Sequence, residues 1–419
     1  MKRSARWHSH CGMAAQYFNA VTIKSHFPRS SAHDLNFAYL ETHNYYLIMT
    51  IGVLKEPSEE SRVSFLPETV TVLTKKGITV FVEAGAGEKA FHNDEEYVKV
   101  GAAIKSRAEI IQAADVLVAI HPFAEAASLS SKILIGVYQP LFNVQVMQQW
   151  AKQGLITFSL DMLPRTTRAQ SMDVLSSQAN IAGYKAVLLA ANNYGRYFPM
   201  FMTAAGSIAP AKLLILGAGV AGLQAVATAR RLGAVVEVFD TRPAVKEEVM
   251  SLGAKFIEVE GAADASKAGG YAVEQSSDYQ QRQQNRIAES IAKADIVITT
   301  AQIPGKKAPI LITEEMLQSM RVGSVIIDLA AATGGNTPVT KNDQTVLYKG
   351  VHIIGNSNLA ATMPSDASKL YGKNLLNFLQ LIIDKEGKLN LNFDDDLVKG
   401  CCITNHGEVV HDRVNQLTS

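Results

Sequence analysis

The chain has 419 residues, which is too long for one compact core and predicts two domains. Lys and Arg number 40 against 39 Asp and Glu, so the overall basic charge that suits binding to nucleic acid or anionic lipid is absent. No apolar run of about 18 residues occurs, which argues against a membrane-spanning helix. The three cysteines contain no C-x-x-C pair, so we expect a reducing compartment and no metal site.

Residues 1–48 differ in composition from the rest of the chain. They hold half of the ten histidines and only two acidic residues, Asp34 and Glu41, and they show no sustained hydrophobic period. An acid-poor leader with Arg and Ser is typical of an organelle transit peptide. The alternative, which we favour, is a disordered or mis-assigned extension ahead of a natural start at Met49.

From residue 49 to about 162, short apolar runs alternate with helical segments. The apolar runs lie at 51–54, 79–83, 116–120, 133–137 and 156–159, and the helical segments at 69–76, 107–113 and 144–152. This alternation predicts a parallel, doubly wound sheet. A long helix, about 176–194, should then lead away from it.

The segment 213–240 has the pattern of a dinucleotide-binding unit. An apolar run ends in G-x-G-x-x-G at Gly217, Gly219 and Gly222, and a helical stretch and a second apolar run lead to Asp240. In such a unit the glycines permit a tight turn, close approach of a pyrophosphate, and close packing of helix on strand. We therefore expect a pyrophosphate at the positive N-terminus of this helix. An ordinary glycine turn is the structural alternative.

Asp240 predicts which cofactor binds. A carboxylate accepts hydrogen bonds from both ribose hydroxyls and repels a 2′-phosphate, so NAD(H) is favoured over NADP(H). Arg242 offers the alternative of holding a 2′-phosphate, which we rank second behind the carboxylate.

The chain then continues through apolar runs that complete a second nucleotide-type sheet, at 255–259, 295–300, 323–329 and 351–354. A second long helix, about 364–384, returns the chain to the first sheet. We predict an α/β fold of two doubly wound, parallel-sheet (Rossmann-like) domains, the first discontinuous, joined by long helices. Their predicted bounds are 49–178 plus 357–419 for the first domain and 179–356 for the NAD-binding domain, with the cofactor in the cleft between them.

The segment 261–284 is rich in Gly, Ala, Ser and Gln and predicts a long loop. A loop of more than about 12 residues in a compact domain is usually functional or disordered. A mobile lid and a solvated insertion both remain open here.

Residues 165–178 read R-x-x-R-A-Q-x-M-D-x-L-S-S-Q. With the glycine motif and D-T-R at 240–242, this stretch resembles the NAD(H)-binding domain of proton-translocating NAD(P) transhydrogenases, and in particular the family of separate, soluble alpha chains. The resemblance runs from about residue 49 to the end, and a more distant one reaches the alanine dehydrogenases.

The resemblance implies that Arg165, Gln170, Asp173 and Ser176 act at the nicotinamide. The alternative is that polar residues here are only turn and cap residues, because Asp and Ser favour helix N-termini. The cofactor-binding residues that it implies are Arg165, Thr166, Thr167, Arg168, Gln170, Gly217, Gly219, Val220, Gly222, Asp240, Thr241, Arg242, Gly270, Tyr271 and Gln302. Gly270 and Tyr271 would lie in a loop that closes over nucleotide, whereas Gln302 replaces an apolar residue that is usual in the family.

Hydride exchange between two nicotinamide rings requires alignment and exclusion of water, but no side chain that ionises. The resemblance implies that NADP(H) is bound by a partner beta chain and that separate membrane subunits translocate protons. It also implies a homodimer placed peripherally on the cytoplasmic side of the inner membrane, with no nucleic acid involved.

An NAD-dependent alanine- or lysine-type amino-acid dehydrogenase is the enzymatic alternative, since such enzymes need a proton-transferring side chain. The opening residues Lys55, Glu56 and Arg62 are similar to those of alanine dehydrogenase. However, residues 118–122 read V-A-I-H-P without the lysine of that family, and Tyr138 or Gln139 replaces its histidine. His121 is a possible stand-in base, and a non-catalytic NAD-binding protein is the third hypothesis.

Overall fold

The computed structural model describes residues 49–259, 261 and 276–417, so the expectations for residues 1–48 lie outside the described chain. The strands are, in chain order, β1 (Thr50–Val53), β2 (Thr79–Glu83), β3 (Ala103–Lys105), β4 (Val116–Val118), β5 (Ile133–Gly136), β6 (Ile156–Ser159), β7 (Phe201–Thr203), β8 (Gly206–Ile208), β9 (Lys212–Leu216), β10 (Val235–Phe239), β11 (Lys255–Phe256), β12 (Ile296–Thr299), β13 (Val325–Asp328), β14 (Gln344–Tyr348), β15 (Val351–Gly355), β16 (Cys402–Asn405) and β17 (Glu408–Val409).

Helices cover these strands. They are, in chain order, α1 (Pro67–Lys75), α2 (Asp94–Lys99), α3 (Arg107–Ala113), α4 (Val144–Lys152), α5 (Val174–Asn193), α6 (Val220–Arg231), α7 (Lys246–Ser251), α8 (Ser277–Ile291), α9 (Glu314–Ser319), α10 (Pro364–Ile382), α11 (Asp396–Cys401) and α12 (Asp412–Asn415). Across the described ranges, none of these helices combines the length and apolarity needed to cross a bilayer.

The first sheet has eight strands in the order β17-β16-β6-β5-β4-β1-β2-β3. Strands β1 to β6 are parallel, and apolar side chains are buried on both faces of the sheet. Strands β16 and β17 join this sheet only after the chain has formed the second sheet. The first unit, meaning this sheet and the helices packed on it, is therefore discontinuous in sequence. The order of connection reverses between β1 and β4, which is the topological switch point of this sheet.

The second sheet has seven strands in the order β11-β10-β9-β12-β13-β15-β14. Its switch point lies between β9 and β12, and all of its pairs are parallel except β14 with β15. These two mostly parallel, doubly wound sheets confirm the predicted fold class, whereas the predicted domain bounds stay a proposal.

Strands β7 and β8 form a separate antiparallel hairpin, and two further hairpins, at the edges of the large sheets, depart from the predicted parallel pattern. The β14–β15 turn has positive φ at Lys349 (47°) and Gly350 (86°), and the β16–β17 turn has it at His406 (50°) and Gly407 (81°). Two consecutive residues with positive φ match the twist of a tight antiparallel hairpin. These turns therefore add the antiparallel strands β14 and β17, which the hydrophobic pattern did not predict.

The long helices α5 and α10 carry the chain from the first sheet to the second and back, and they pack against each other. Ile181, Ala360 and Ala367 form a separate buried cluster at this crossing. A close helix pair therefore joins the two sheets, as predicted.

The prediction of irregular structure up to residue 284 is wrong at its C-terminal end. Helix α8 begins at Ser277, where the Ser276 hydroxyl accepts a hydrogen bond from the Tyr279 amide at 3.3 Å. Tyr279, Ile287 and Ile291 are buried on one face of this helix, so packing overrides its polar composition. Residues 260 and 262–275, for which the lid was considered, lie outside the described chain.

Candidate nucleotide site

The glycine turn between β9 and α6 has the geometry that its sequence predicts. Gly217 has φ +109°, and its amide donates to the Phe239 carbonyl at 2.9 Å. A Cβ on Gly217 would lie 2.3 Å from Thr300 Oγ1, and one on Gly222 would lie 1.9 Å from the Gly217 carbonyl oxygen. A Cβ on Gly219 would meet nothing within 4 Å. The fold itself requires Gly217 and Gly222, whereas at Gly219 the chain leaves open space.

Helix α6 begins directly at this open space. Gly219 is its N-cap and supplies no side-chain acceptor, and Val220 at the first position is 40% exposed. The first N–H groups of a helix lack partners within the helix and carry its positive end. A phosphate group suits this position.

Asp240 directly follows β10 beside the turn, and its carboxylate is already hydrogen-bonded within the chain. Its oxygens accept hydrogen bonds from the Ala218 amide at 2.7 Å and the Arg242 amide at 2.8 Å. They also accept from Arg242 Nε at 2.9 Å and Nη2 at 2.8 Å, and only 6% of the Asp240 side chain is exposed. These four bonds use the four acceptor positions of a carboxylate. A ligand hydroxyl that reached Asp240 would therefore have to displace Arg242, which the sequence did not predict.

Asn336 positions the loop after β12, and sequence reasoning missed it. The side chain is fully buried, donates to the carbonyls of Ala301 (2.9 Å) and Pro309 (2.8 Å), and accepts from the Ala301 amide at 3.2 Å. Gln302 is exposed, with its Nε2 donating to the Leu329 carbonyl at 2.9 Å. An asparagine that bonds only backbone leaves no local pattern in the sequence.

Residues 165–173 form a loop that ends at the N-cap of α5, and residues 174–178 are the first residues of that helix. The Asp173 carboxylate accepts from the Ser176 amide at 2.9 Å and the Ser176 hydroxyl at 2.6 Å. Asp173 and Ser176 therefore act as a helix cap, while the side chains of Arg165 and Gln170 are exposed. Thr166 and Thr167, also exposed, begin a 3-10 turn over Thr167–Met172.

Two helices of the first unit hold this loop. Arg168 donates to the Asp395 carboxylate at 2.6 and 2.7 Å and also pairs with Asp396, at the start of α11. Asn374 and Asn377 on α10 both donate to the Ser171 carbonyl at 2.8 Å. In this structure the Arg168 guanidinium therefore forms ion pairs with the carboxylates at the N-terminus of α11.

The loop and the glycine turn lie on packed helices. A Cβ on Gly183 of α5 would lie 2.1 Å from the Ala221 carbonyl in the first turn of α6, so the two backbones are in direct contact. Asn180 Nδ2 also donates to Gln224 Oε1 at 3.3 Å. Gly183 is nine residues beyond the start of α5, or about 14 Å along the helix. The contact between α5 and α6 therefore fixes the distance between two regions predicted to bind the cofactor, the 165–173 loop and the glycine turn. We call these regions the two predicted half-sites.

The remaining residues predicted to bind cofactor are Thr241, Gly270 and Tyr271. Thr241 is half-buried beside Asp240, and Gly270 and Tyr271 lie outside the described residues. Cys402 is buried, which raises the pKa of its thiol to about 12. In the part of the chain that the structure describes, no group of three His, Cys, Asp or Glu side chains could hold a metal ion.

His121 and Tyr138, which bear on the amino-acid dehydrogenase alternative, both make contacts within the chain. His121 Nε2 lies 2.8 Å from Glu60 Oε2, and the His121 ring is 40% exposed. Tyr138 is fully buried and packs edge-on against Trp150 at 5.2 Å between ring centroids. Tyr138 therefore lies in the core rather than in an open cleft.

Two family models match the chain along almost all of its described length. Residues 52–182 match the N-terminal domain of alanine dehydrogenase/PNT, and residues 186–412 match the C-terminal domain of the same family.

Similar proteins point in the same direction. An NAD(P) transhydrogenase subunit alpha polypeptide from Rickettsia prowazekii is 46% identical over 372 residues, covering 87% of this chain and 96% of that protein. The crystal structure of transhydrogenase from Sinorhizobium meliloti is 46% identical, with a TM-score of 0.78 over 86% of this chain and 100% of that one. An alanine dehydrogenase from Staphylococcus haemolyticus is 26% identical over 351 residues, covering 80% of this chain and 88% of that protein.

Proposed function

The chain belongs to the alanine dehydrogenase/PNT family, among its NAD(P) transhydrogenase alpha subunits, and from this premise we propose the reaction that it performs. It transfers hydride between NAD(H) bound at its own glycine turn and NADP(H) bound on a partner beta chain. Membrane subunits couple this transfer to proton translocation, and the chain docks on them at the cytoplasmic side of the inner membrane.

One observation carries the proposal: the glycine turn and the 165–173 loop, the two predicted half-sites, lie at the N-termini of two packed helices. The turn at Gly219 opens α6 with no side chain in the way, and the loop with exposed Arg165 and Gln170 opens α5. Contact between Gly183 and Ala221 fixes the spacing of the two helices. This arrangement suits an extended ligand with a phosphate in its middle and an aromatic ring at one end.

The bound dinucleotides supply the hydride chemistry. The first turn of α6 would hold the pyrophosphate. Asp240 would accept hydrogen bonds from the ribose hydroxyls in place of those that Arg242 now donates. Arg165, Gln170 and the Asp173–Ser176 cap would orient the nicotinamide and exclude water from it. None of these side chains has to exchange a proton, so rate depends on alignment.

A homodimer is part of the proposal, and the β7–β8 hairpin supports it. Tyr197, Met200, Phe201 and Met202 are between 43% and 70% exposed on this hairpin and the segment before it. The Tyr197 and Phe201 rings stack at 4.9 Å and 2°. Clustered apolar exposure of this kind marks a protein contact surface, and a second copy of the chain is the occupant that the resemblance implies.

The test mixes the purified chain with an NADP(H)-binding transhydrogenase subunit and follows reduction of an NAD analogue by NADPH. Alanine, pyruvate and lysine-type amino acids are tested in parallel without the partner. Transfer only with the partner supports the proposal, and partner-independent amino-acid oxidation supports the dehydrogenase alternative. NADH binding with no turnover under any condition supports a non-catalytic NAD-binding protein.

Gln170→Asn then tests the nicotinamide half-site, with Gln149→Asn on the exposed face of α4 as the matched control. We expect Gln170→Asn to slow transfer about tenfold or more, because a misaligned ring is costly, while NADH affinity changes little. Equal transfer rates in the two variants would contradict the assigned role.

A further inference from the structure

The switch point of the first sheet, between β1 and β4, is bridged by a side chain of the protein itself. Open α/β sheets usually receive a ligand at this place. Here the buried Glu56, just beyond β1, accepts hydrogen bonds from the amides of Ile120 at 2.6 Å and His121 at 3.2 Å, just beyond β4. The carboxyl ends of these two strands are therefore closed by a side chain.

Arg62 is almost completely buried, and it lies next to these strand ends because its partner Glu60 also contacts the His121 ring. Its Nε and Nη2 donate to the two Glu60 oxygens at 2.9 and 2.7 Å. Its Nη1 donates to Gln178 Oε1 at 2.8 Å, and Nη2 donates also to Asn358 Oδ1 at 3.0 Å. One guanidinium thus joins three segments that are far apart in sequence.

These segments are the ones that pass between the two sheets. Gln178 is on α5, which leaves the first sheet, and Asn358 follows β15, where the chain leaves the second. Gln178 Nε2 also donates to the Ala367 carbonyl of α10 at 3.1 Å, and the Val63 amide donates to Ser368 Oγ at 3.0 Å. Both chain crossings are therefore fastened to the loop that carries Arg62.

A contribution to stability does not by itself explain the buried Arg62–Glu60 ion pair. Side-chain exposure is 7% for Arg62 and 2% for Glu60, and a buried ion pair is often no more stabilising than apolar residues of similar volume. Burial raises the pKa of Glu60, but hydrogen bonds from Arg62 and His121 outweigh burial and bring it below its ordinary value. The carboxylate therefore stays ionised and keeps the guanidinium in place.

We propose that Arg62 is a positioning residue for hydride transfer, which fixes the start of α5 and its nicotinamide loop relative to the glycine turn. The inference rests on the proposed function. Gln178 lies five residues after the Asp173 cap, little more than one helical turn. Only the planar fork of arginine reaches this set of acceptors at once, so lysine cannot replace it.

Arg107, the first residue of α3, provides a matched control in the same unit. It donates to Glu83 at 2.7 Å, to Glu125 at 2.9 Å and to the Lys55 carbonyl at 3.1 Å. All of these partners belong to the first unit, so losing them leaves the two crossings untouched. Arg62→Lys and Arg107→Lys make the same chemical change with and without the link between the sheets.

The first measurement follows the link directly. Spin labels at Val98 and Val322, which are 54% and 84% exposed on the first and second units, report the distance between them in a Cys11→Ser background. We expect a narrow distance distribution in the parent chain and in Arg107→Lys, and a broader one in Arg62→Lys. Equal distributions in all three would overturn the inference. If Arg62→Lys does not fold, Asn358→Ala, which removes one acceptor at the half-buried edge, replaces it.

The second measurement separates positioning from stability. With the partner subunit present, we expect Arg62→Lys to lower the transfer rate about tenfold or more, while the NADH dissociation constant stays within about threefold, because the glycine turn is intact. Arg107→Lys should keep the rate within about twofold at equal or greater loss of Tm. Parallel losses of rate and affinity in both variants would mean a purely structural role. Failure of the parent chain to transfer hydride would overturn the proposed function, whereas the distance measurement would still decide the link.

Discussion

The two sheets share the order of their first five strands, yet their switch points are built in opposite ways. Between β9 and β12, Gly219 leaves room and the start of α6 keeps its donors available. Between β1 and β4, Glu56 consumes the backbone donors and Arg62 binds neighbouring segments together. The same topology thus leaves open space where side chains are absent and forms an internal connection where they bridge the strand ends.

The largest effect is expected at the open switch point, from Gly222→Ala. The added Cβ would lie 1.9 Å from the Gly217 carbonyl oxygen, and neither backbone can yield. We expect a loss of about 3 kcal/mol or more in the free energy of unfolding, together with loss of NADH binding. Denaturant unfolding and NADH fluorescence titration measure both quantities.

Gly219→Ala is the companion variant, since its Cβ meets nothing within 4 Å and φ is −77°. Stability should be unchanged while NADH affinity falls, because the methyl group occupies the open space. A Gly222→Ala chain as stable as the parent would remove the distinction between the two glycines.

The switch point between β1 and β4 should give the free energy of unfolding a pH dependence, through Glu56. Burial raises the pKa of Glu56 to about 7, above its ordinary value of 4.5. The folded chain therefore holds an extra proton between these values, so the free energy of unfolding falls as pH rises through this window. The whole change is on the order of 3 kcal/mol.

Glu56→Gln cannot ionise, so the slope between pH 5 and 8 should be smaller than in the parent chain, as followed by denaturant unfolding. Glu95→Gln, on the exposed face of α2, should keep the parental slope. Identical slopes in all three would mean that Glu56 is not the buried titrating group.

The same contrast explains how much the sequence predicts. The glycine turn is encoded within six residues, because Gly217 and Gly222 each meet a steric demand that no other residue satisfies. The Lys349-Gly350 turn is equally local, but an analysis of hydrophobic periodicity does not detect it, because the turn depends on the φ angles of two residues. Arg62, in contrast, bonds to residues 116 and 296 positions away, so only the folded chain shows what it joins. Asp240 was correctly expected beside the turn, but its pairing with Arg242 depends on side-chain geometry.

A smaller effect is expected at Asp240, whose carboxylate links the turn to Arg242. Asp240→Ala leaves the Ala218 amide and the guanidinium without these bonds, which should cost about 2 kcal/mol of stability. NADH affinity should fall about tenfold or more, since bonds to a charged acceptor are lost. Asp240→Asn keeps one acceptor oxygen and should recover some of both. Titrations with NADH and NADPH measure the selectivity, and unchanged NADH affinity would remove the case for Asp240 as the group that selects NAD.

The smallest effect is expected at Arg168, where the structure and the resemblance assign different partners to one side chain. Its pair with Asp395 and Asp396 is solvent-exposed, so Arg168→Gln should change Tm little. Asp396→Asn is the matched variant, because it weakens the pair, keeps the guanidinium and spares the Asp395 cap of α11. If Arg168 also serves the nucleotide, Arg168→Gln lowers NADH affinity a few-fold and Asp396→Asn does not, which is the result we expect. NADH affinities equal to that of the parent chain in both variants would assign Arg168 to α11 alone.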